Sequence, residues 1–363
     1  MNSQSRTAKI TGTGRYLPGD PIDSERLSSI MPGLPVDLFE KYFGVKTRHY
    51  VLDPQSGERQ KILCRDGELR PLTTAEMGVQ ASHRALEDAG LGTDDIDAII
   101  TNSTTPDGLL PPLTLRIQQR LNIAETQLLD LRGGCSAAIQ GLNLATMLVE
   151  SGRARRVLVV SSECTSPHYF KKLREMNDPQ FNDVVNGLLF ADGASAVVVE
   201  DSEDAAARAI AGLQINFTAT KSCFSERKPG FSIKNLSSGG IETSHDHRAI
   251  RKTLPMAVER GFGELRRGTG FHRQDFDVLI IPQVNQSMLD IVAEDKNAPV
   301  PKGLCYFGHE TGNVPAAAMF MALDTAKERG RIEPGDRIGI LSIETTSWNF
   351  AVASLQAHAG AEL

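Results

Sequence analysis

Cys135 stands in Leu131-Arg132-Gly133-Gly134-Cys135-Ser136-Ala137-Ala138, between an apolar run (Leu128, Leu129, Leu131) and a small-residue helical pattern that continues through Leu142, Leu144, Ala145 and Leu148. A cysteine at such a junction points its sulfur at the free N–H groups and positive end of the helix, which favours the thiolate and lowers the thiol pKa. The adjoining glycines allow a sharp turn and leave room for a substrate beside the sulfur. These features suit a covalent nucleophile. A buried structural cysteine, behaving as a small hydrophobe, is the competing reading of the local sequence.

The rest of the chain must position that sulfur. It has 363 residues, 40% hydrophobic and 23% charged, with a formal net charge of −6. This is the balance of a globular protein with a large core, built as two domains or two halves of one unit. The negative balance argues against nucleic acid as the main partner, since phosphate binding needs a clustered positive field. No uninterrupted apolar stretch is long enough for a bilayer, and the polar Met1–Lys9 segment lacks a signal-peptide core. Five scattered cysteines do not make a disulfide framework, so a reducing cytoplasm is the expected location. No Cys/His cluster has metal-ligand spacing, and no Walker or dinucleotide glycine motif occurs.

The chain carries one layout twice. A helical pattern from Thr73 to Ala89, a turn at Gly90–Gly92 and a strand at Ile96–Thr101 answer to Ala249–Arg267, Gly268–Gly270 and Phe276–Ile281. The helix opening at Cys135, its close at Ser151-Gly152-Arg153 and the strand Arg156–Val160 answer to the helix after Asn313, Arg329-Gly330 and Arg337–Ser342. Ala194–Val199 answers to Ala351–Leu355. Apolar strands alternating with amphipathic helices predict parallel sheets covered by helices on both faces. The boundary falls between residues 1–203 and 204–363, with Cys135 and Asn313 facing each other across a pseudo-twofold axis.

With these stretches laid out, the chain resembles the thiolase superfamily and, within it, the ketoacyl-ACP synthase III family of condensing enzymes. The resemblance rests on Gly12-Thr13-Gly14-Arg15-Tyr16-Leu17-Pro18, Phe43-Gly44-Val45-Lys46-Thr47-Arg48-His49 and Gly133–Ala138. It continues in Phe190-Ala191-Asp192-Gly193-Ala194-Ser195-Ala196, Gly312–Ala317 and the strand around Trp348. It implies a five-layered αβαβα fold, a homodimer and ping-pong chemistry with no tightly bound cofactor. In that chemistry Cys135 takes an acyl group from an acyl-CoA or acyl-carrier-protein thioester and passes it to a second substrate. Asn313 is then the amide that binds the enolate formed when a malonyl thioester loses CO₂, and the Cys135 N–H belongs to the oxyanion hole.

Three departures matter. The family's histidine precedes a Gln-Ala-Asn run, but here Ile281-Pro282-Gln283-Val284-Asn285 keeps only Gln283 and Asn285, with Pro282 in the histidine's place, or Gln283 there if the register slips by one residue. Neither Pro nor Gln can take a proton. His309, four residues before Asn313 and beside Glu310, is the expected replacement; His245 and His247 are second candidates, read as a solvated helix start. The family's glycine-rich turn is Ile343-Glu344-Thr345-Thr346-Ser347-Trp348, where Thr345 N–H is the oxyanion donor that remains and glycine-only dihedrals are excluded. The Trp and Arg that hold the coenzyme A adenine in the family fall at Leu38 and Tyr42, which makes a carrier protein at least as good a donor. Two polar insertions, Ser166–Asn186 and Asp53–Pro71, reshape the surroundings, the first near the pocket. The expected activity is condensation with a malonyl- or β-keto-type substrate in specialised, polyketide-like metabolism. Acyl transfer to oxygen or nitrogen and a non-catalytic partner subunit are the alternatives.

Overall fold

The computed structural model describes residues 6–235, 241–293 and 303–359. Ten strands form one sheet. Five belong to the first half: β1 (Ala8–Tyr16), β2 (Ala98–Asn102), β3 (Gln127–Leu131), β4 (Arg156–Glu163) and β5 (Gly193–Asp201). Beyond them come β6 (Gly212–Ser222), the hairpin β7 (Phe231–Asn235) and β8 (Ile241–His245), then β9 (Val278–Ile280), β10 (Gly303–Cys305), β11 (Arg337–Glu344) and β12 (Asn349–His358). The order across the sheet is β10-β9-β11-β12-β6-β1-β5-β4-β2-β3. Read outward from the middle, the two halves have the same sequence of strands, joined by a short antiparallel contact between Lys9–Ile10 and Leu213–Gln214.

The expectation of parallel sheets is corrected. Only the outer strands are parallel, β2 with β3 and β4, and β9 with β10 and β11. The inner pairs β4–β5, β5–β1, β11–β12 and β12–β6 are antiparallel. A strand buried on both faces reads as a continuous apolar run whichever way its neighbour points, so the pattern carries no direction.

The helices named here are α1 (Val36–Phe43), α2 (Thr74–Ala89), α3 (Leu113–Leu121), α4 (Ala137–Glu150), α5 (Phe181–Leu189), α6 (His247–Thr269), α7 (Gln286–Ala293) and α8 (Ala318–Glu328). The equivalent helices α2 and α6 begin and end alike. Thr73 and Asp246 cap their first turns by accepting from Glu76 and Ala249 N–H, and Gly90 and Gly270 close them at φ 63° and 78°. Residues of α4 and α8 share one central core with both halves of the sheet. The outer faces carry α2 and α3 on one side and α6 and α7 on the other. The layers are therefore helix, sheet, paired helices, sheet, helix: the αβαβα arrangement. Because α4 and α8 start at the carboxyl ends of strands in opposite halves, the residues before them meet at the middle of the molecule.

Candidate active site

Cys135 and Asn313 precede α4 and α8 and line one cavity of about 1010 Å³, counting the space at its mouth. Asn313 is held on its backbone: its N–H donates to Leu189 O and its carbonyl accepts from Ala191 N–H, both at 2.9 Å. Its side-chain oxygen is buried and has no partner among the described residues. Ser342 Oγ donates to Cys135 O at 2.6 Å, tying the nucleophile's backbone to β11 of the other half. Most of the wall is apolar, with Phe43, Leu189, Phe190, Ile250, Leu254 and Met288 among its members.

The thiol differs from expectation. Burial, then the negative charges of Glu344 and Glu163, push the Cys135 pKa well above its ordinary value, and its own backbone N–H opposes this only in part. The dipole of a helix end is a partial charge, whereas two whole carboxylates in a poorly solvated site are not screened. Cys135 therefore rests as the thiol and not as the expected thiolate.

The two carboxylates are differently held. Glu163, the last residue of β4, accepts from Thr104 N–H and Oγ1 at 2.9 and 2.8 Å, from Thr105 N–H and Oγ1 at 3.1 and 2.5 Å, and from Ala316 N–H at 3.3 Å. Its burial still raises its pKa against those five donors. Glu344, the last residue of β11, is 2% exposed and lines the cavity. Thr346 N–H donates to its Oε1 at 2.9 Å, while Oε2 is buried without a partner among the described residues. A methyl group on Gly134 would lie 2.1 Å from that oxygen, so the glycine leaves the space the carboxylate fills.

Of the other expected residues, Thr345, Asn285 and Pro282 line the cavity. Asn285 Oδ1 is spent on Ser287 N–H and Oγ at 3.1 and 2.5 Å. Gln283 is not among the lining residues; its Nε2 donates to Ile281 O and Cys305 O, and its Oε1 accepts from Phe307 N–H at 2.6 Å. It staples two loops together. His309 and Glu310 are also outside the lining. The His309 ring stacks on Tyr306 and its Nε2 lies 3.2 Å from Glu310, which is paired in turn with Arg329. Their neighbourhood to Asn313 along the chain does not carry into space, because the Gly308–Thr311 turn directs them away.

His245 and His247 line the cavity instead, at the end of β8 and the start of α6. Their rings stack at 4.0 Å. His245 Nδ1 is 2.9 Å from Asn186 Oδ1, and His247 Nε2 is 3.1 Å from Asn182 Oδ1. Both asparagines belong to α5, within the segment expected to reshape the pocket. Burial, with a lesser repulsion from His247, lowers the His245 pKa to about 3, and burial lowers that of His247. An imidazole donating from Nδ1 keeps Nε2 as an acceptor, so His245 offers the cavity a neutral hydrogen-bonding group. Tyr42 on α1 is 72% exposed and away from this wall; the side chain of Leu38 lies outside the described residues.

Family models for 3-oxoacyl-[acyl-carrier-protein (ACP)] synthase III and for its C-terminal domain match residues 129–216 and 267–348, the stretches that contain Cys135 and Asn313. Both halves of the chain are thus similar to the ketoacyl-ACP synthase III family. The beta-ketoacyl-[acyl-carrier-protein] synthase III of Cereibacter sphaeroides is 28% identical over 333 residues, covering 91% of this chain and 93% of that protein. Among solved structures, AbyA1, a tetronic acid condensing enzyme, matches with a TM-score of 0.84 at 26% identity, over 96% of this chain and 100% of its own. OleA of Xanthomonas campestris, solved with lauric acid and lauroyl-CoA, shares the fold at a TM-score of 0.80 and 20% identity, over 97% of this chain and 99% of its own. Ketoacyl-ACP synthase III enzymes are condensing transferases that act on acyl thioesters. Among the described residues no helix is long and apolar enough to cross a membrane, and no group of three or more His, Cys, Asp or Glu side chains is placed to hold a metal ion.

Glu344 closes a strand that repeats β4 from its first Arg to its last Glu, and the repeat was visible in the sequence. The histidine pair carried a weaker signal, since a polar Ser-His-Asp-His run reads as a solvated helix start until a hairpin folds it over the cavity.

Proposed function

We propose that this chain is a condensing acyltransferase. Cys135 accepts an acyl group from an acyl-carrier-protein or coenzyme A thioester and delivers it to a second substrate held against Asn313. The observation that carries the reading is the meeting of Cys135 and Asn313, from opposite halves, in one largely apolar cavity. The apolar wall suits an acyl chain, and the Cys135 and Thr345 backbone N–H groups are the candidate donors for the tetrahedral oxyanion. Likeness to AbyA1 and the altered histidine and glycine loops favour a specialised, polyketide-like role over fatty-acid initiation.

A homodimer is part of the same proposal. Strand β3 ends the sheet with its outer edge unpaired among the described residues. Leu109, Leu110 and Leu128 are exposed on the loop beside it and on the strand itself, apolar surface that a second copy would cover. The test of the reading is intact-protein mass spectrometry after incubation with acetyl-, octanoyl- or lauroyl-CoA, or the same acyl groups on a carrier protein. A mass gain of one acyl group is expected in the wild type and absent in Cys135→Ala. No gain with any donor, or a gain that survives the substitution, overturns it.

A further inference from the structure

We propose that Glu344 is the general base of this site, its free Oε2 taking the proton of an uncharged carbon acid as that acceptor attacks the acyl group on Cys135. The inference rests on the acyltransferase reading above and names the acceptor class for it.

Three observations carry it. The first is the state of the carboxylate. Among the described residues the buried Oε2 has no donor, an arrangement seldom kept where nothing uses it. Oε1 is anchored by Thr346 N–H, so the group is oriented, and Oε2 is laid against Gly134, one residue from the nucleophile. The second is the lack of another base. Pro282 occupies the place of the family's histidine, His309 faces elsewhere, and Glu163 is consumed by five donors. The stacked histidines each hold one nitrogen against Asn186 or Asn182, and burial makes the nitrogen left over a weaker base than an ordinary imidazole.

The third is charge. Among the described residues no Lys or Arg lines the cavity, so nothing there would offset an anionic acceptor beside Glu344. A malonyl carboxylate would enter against the field of this carboxylate and that of Glu163. An uncharged acceptor meets no such field. A carboxylate is also a modest base, matched best to a C–H made acidic by two flanking carbonyls, as in a β-keto thioester, and poorly to a simple alcohol.

The step balances without a co-reactant. The C–H proton of the acceptor passes to Glu344 Oε2, and the enolate oxygen is received by the Asn313 amide. The carbanion carbon bonds to the acyl carbon, and the tetrahedral oxyanion collapses with cleavage of the C–S bond. Cys135 leaves as thiolate and recovers the proton from Glu344. No CO₂ is released.

The experiment uses the acylated enzyme and two acceptor probes, acetoacetyl- and malonyl-N-acetylcysteamine thioester, with Glu344→Gln and Glu344→Asp beside the wild type. The wild-type adduct is expected to be discharged by the acetoacetyl probe at least tenfold faster than by the malonyl probe, without CO₂. Glu344→Gln should still be acylated but discharge about a hundredfold more slowly, and Glu344→Asp should fall between. Iodoacetamide should alkylate Cys135 several-fold faster in Glu344→Gln, because a negative charge beside the thiol is gone, an effect that a packing role would not produce. Equal discharge by Glu344→Gln, or unchanged alkylation, overturns the base; preference for the malonyl probe with CO₂ release overturns the acceptor class. Should Glu344→Gln not fold, wild-type-like discharge by Glu344→Asp also counts against the base. Failure of the wild type to form any adduct removes the acyltransferase reading itself, a result distinct from failed discharge.

Discussion

Glu163 and Glu344 end the two strands that answer each other across the pseudo-twofold axis; each strand runs eight residues from an Arg to a Glu. Both carboxylates raise the pKa of the same thiol. They differ in what surrounds them. Seven and eight residues after Asp97, Thr104 and Thr105 give Glu163 four of its donors. Seven and eight residues after the matching Asp277 come Val284, which has no polar side chain, and Asn285, which is occupied by Ser287. A duplicated scaffold has kept the acid at both places and the donors at only one. Hydrogen-bond saturation, more than burial or charge, separates a carboxylate that holds a fold together from one left open for chemistry.

The sharpest way to break this contrast is stability. Glu163→Ala strands several buried donors and should cost at least about 3 kcal/mol in urea unfolding. Glu344→Ala removes an uncompensated buried charge and should change stability by less than about 1 kcal/mol, or raise it. Equal losses would mean the two acids do the same job. The next effect is at Gly134. Gly134→Ala drives a methyl into Glu344 Oε2 and should cost about 1–3 kcal/mol. In the double variant with Glu344→Ala most of that cost should vanish, a coupling of at least about 1 kcal/mol in a double-mutant cycle.

The smallest effect belongs to the acid that lies outside the cavity. The Arg329 guanidinium beside Glu310 holds its carboxyl below the usual range, so its contribution is present at neutral pH and is lost as pH falls through the folded-state value. The pair is largely solvated, and Glu310→Gln should cost under about 1 kcal/mol at pH 7, with the difference closing in acid. A cost that persists in acid would show a packing role instead.

Much of this was legible in the chain. Cys135 and Asn313 stand out in the sequence because small residues at a helix start are a local signal and the duplication sets the two in register. The repeat points to two helix-covered halves and the resemblance to five layers, while strand direction follows from neither. His309 was misplaced because nearness in sequence to Asn313 says nothing about which way a four-residue helical turn faces. Gln283 looked available because its three buried backbone partners come from chain neighbours and from a loop more than twenty residues away. His245 and Glu344 depend on contacts between distant segments, which periodicity does not report.

The turn that replaces the family's glycines has its own outcome. Glycine-only dihedrals were excluded there, yet Trp348 adopts φ 47°, buried, with its indole N–H on Lys228 O at 2.7 Å and its carbonyl accepting from Cys223 N–H. Gly230 N–H bonds Thr345 O, and Asp246 N–H bonds Gly230 O. Trp348 and Gly230 together thus rivet the floor that bears the acid to the roof that bears the imidazoles. Widening the chamber by shifting the roof would drag the acid with it, so room for a bulkier guest and the aim of the proton acceptor must evolve together.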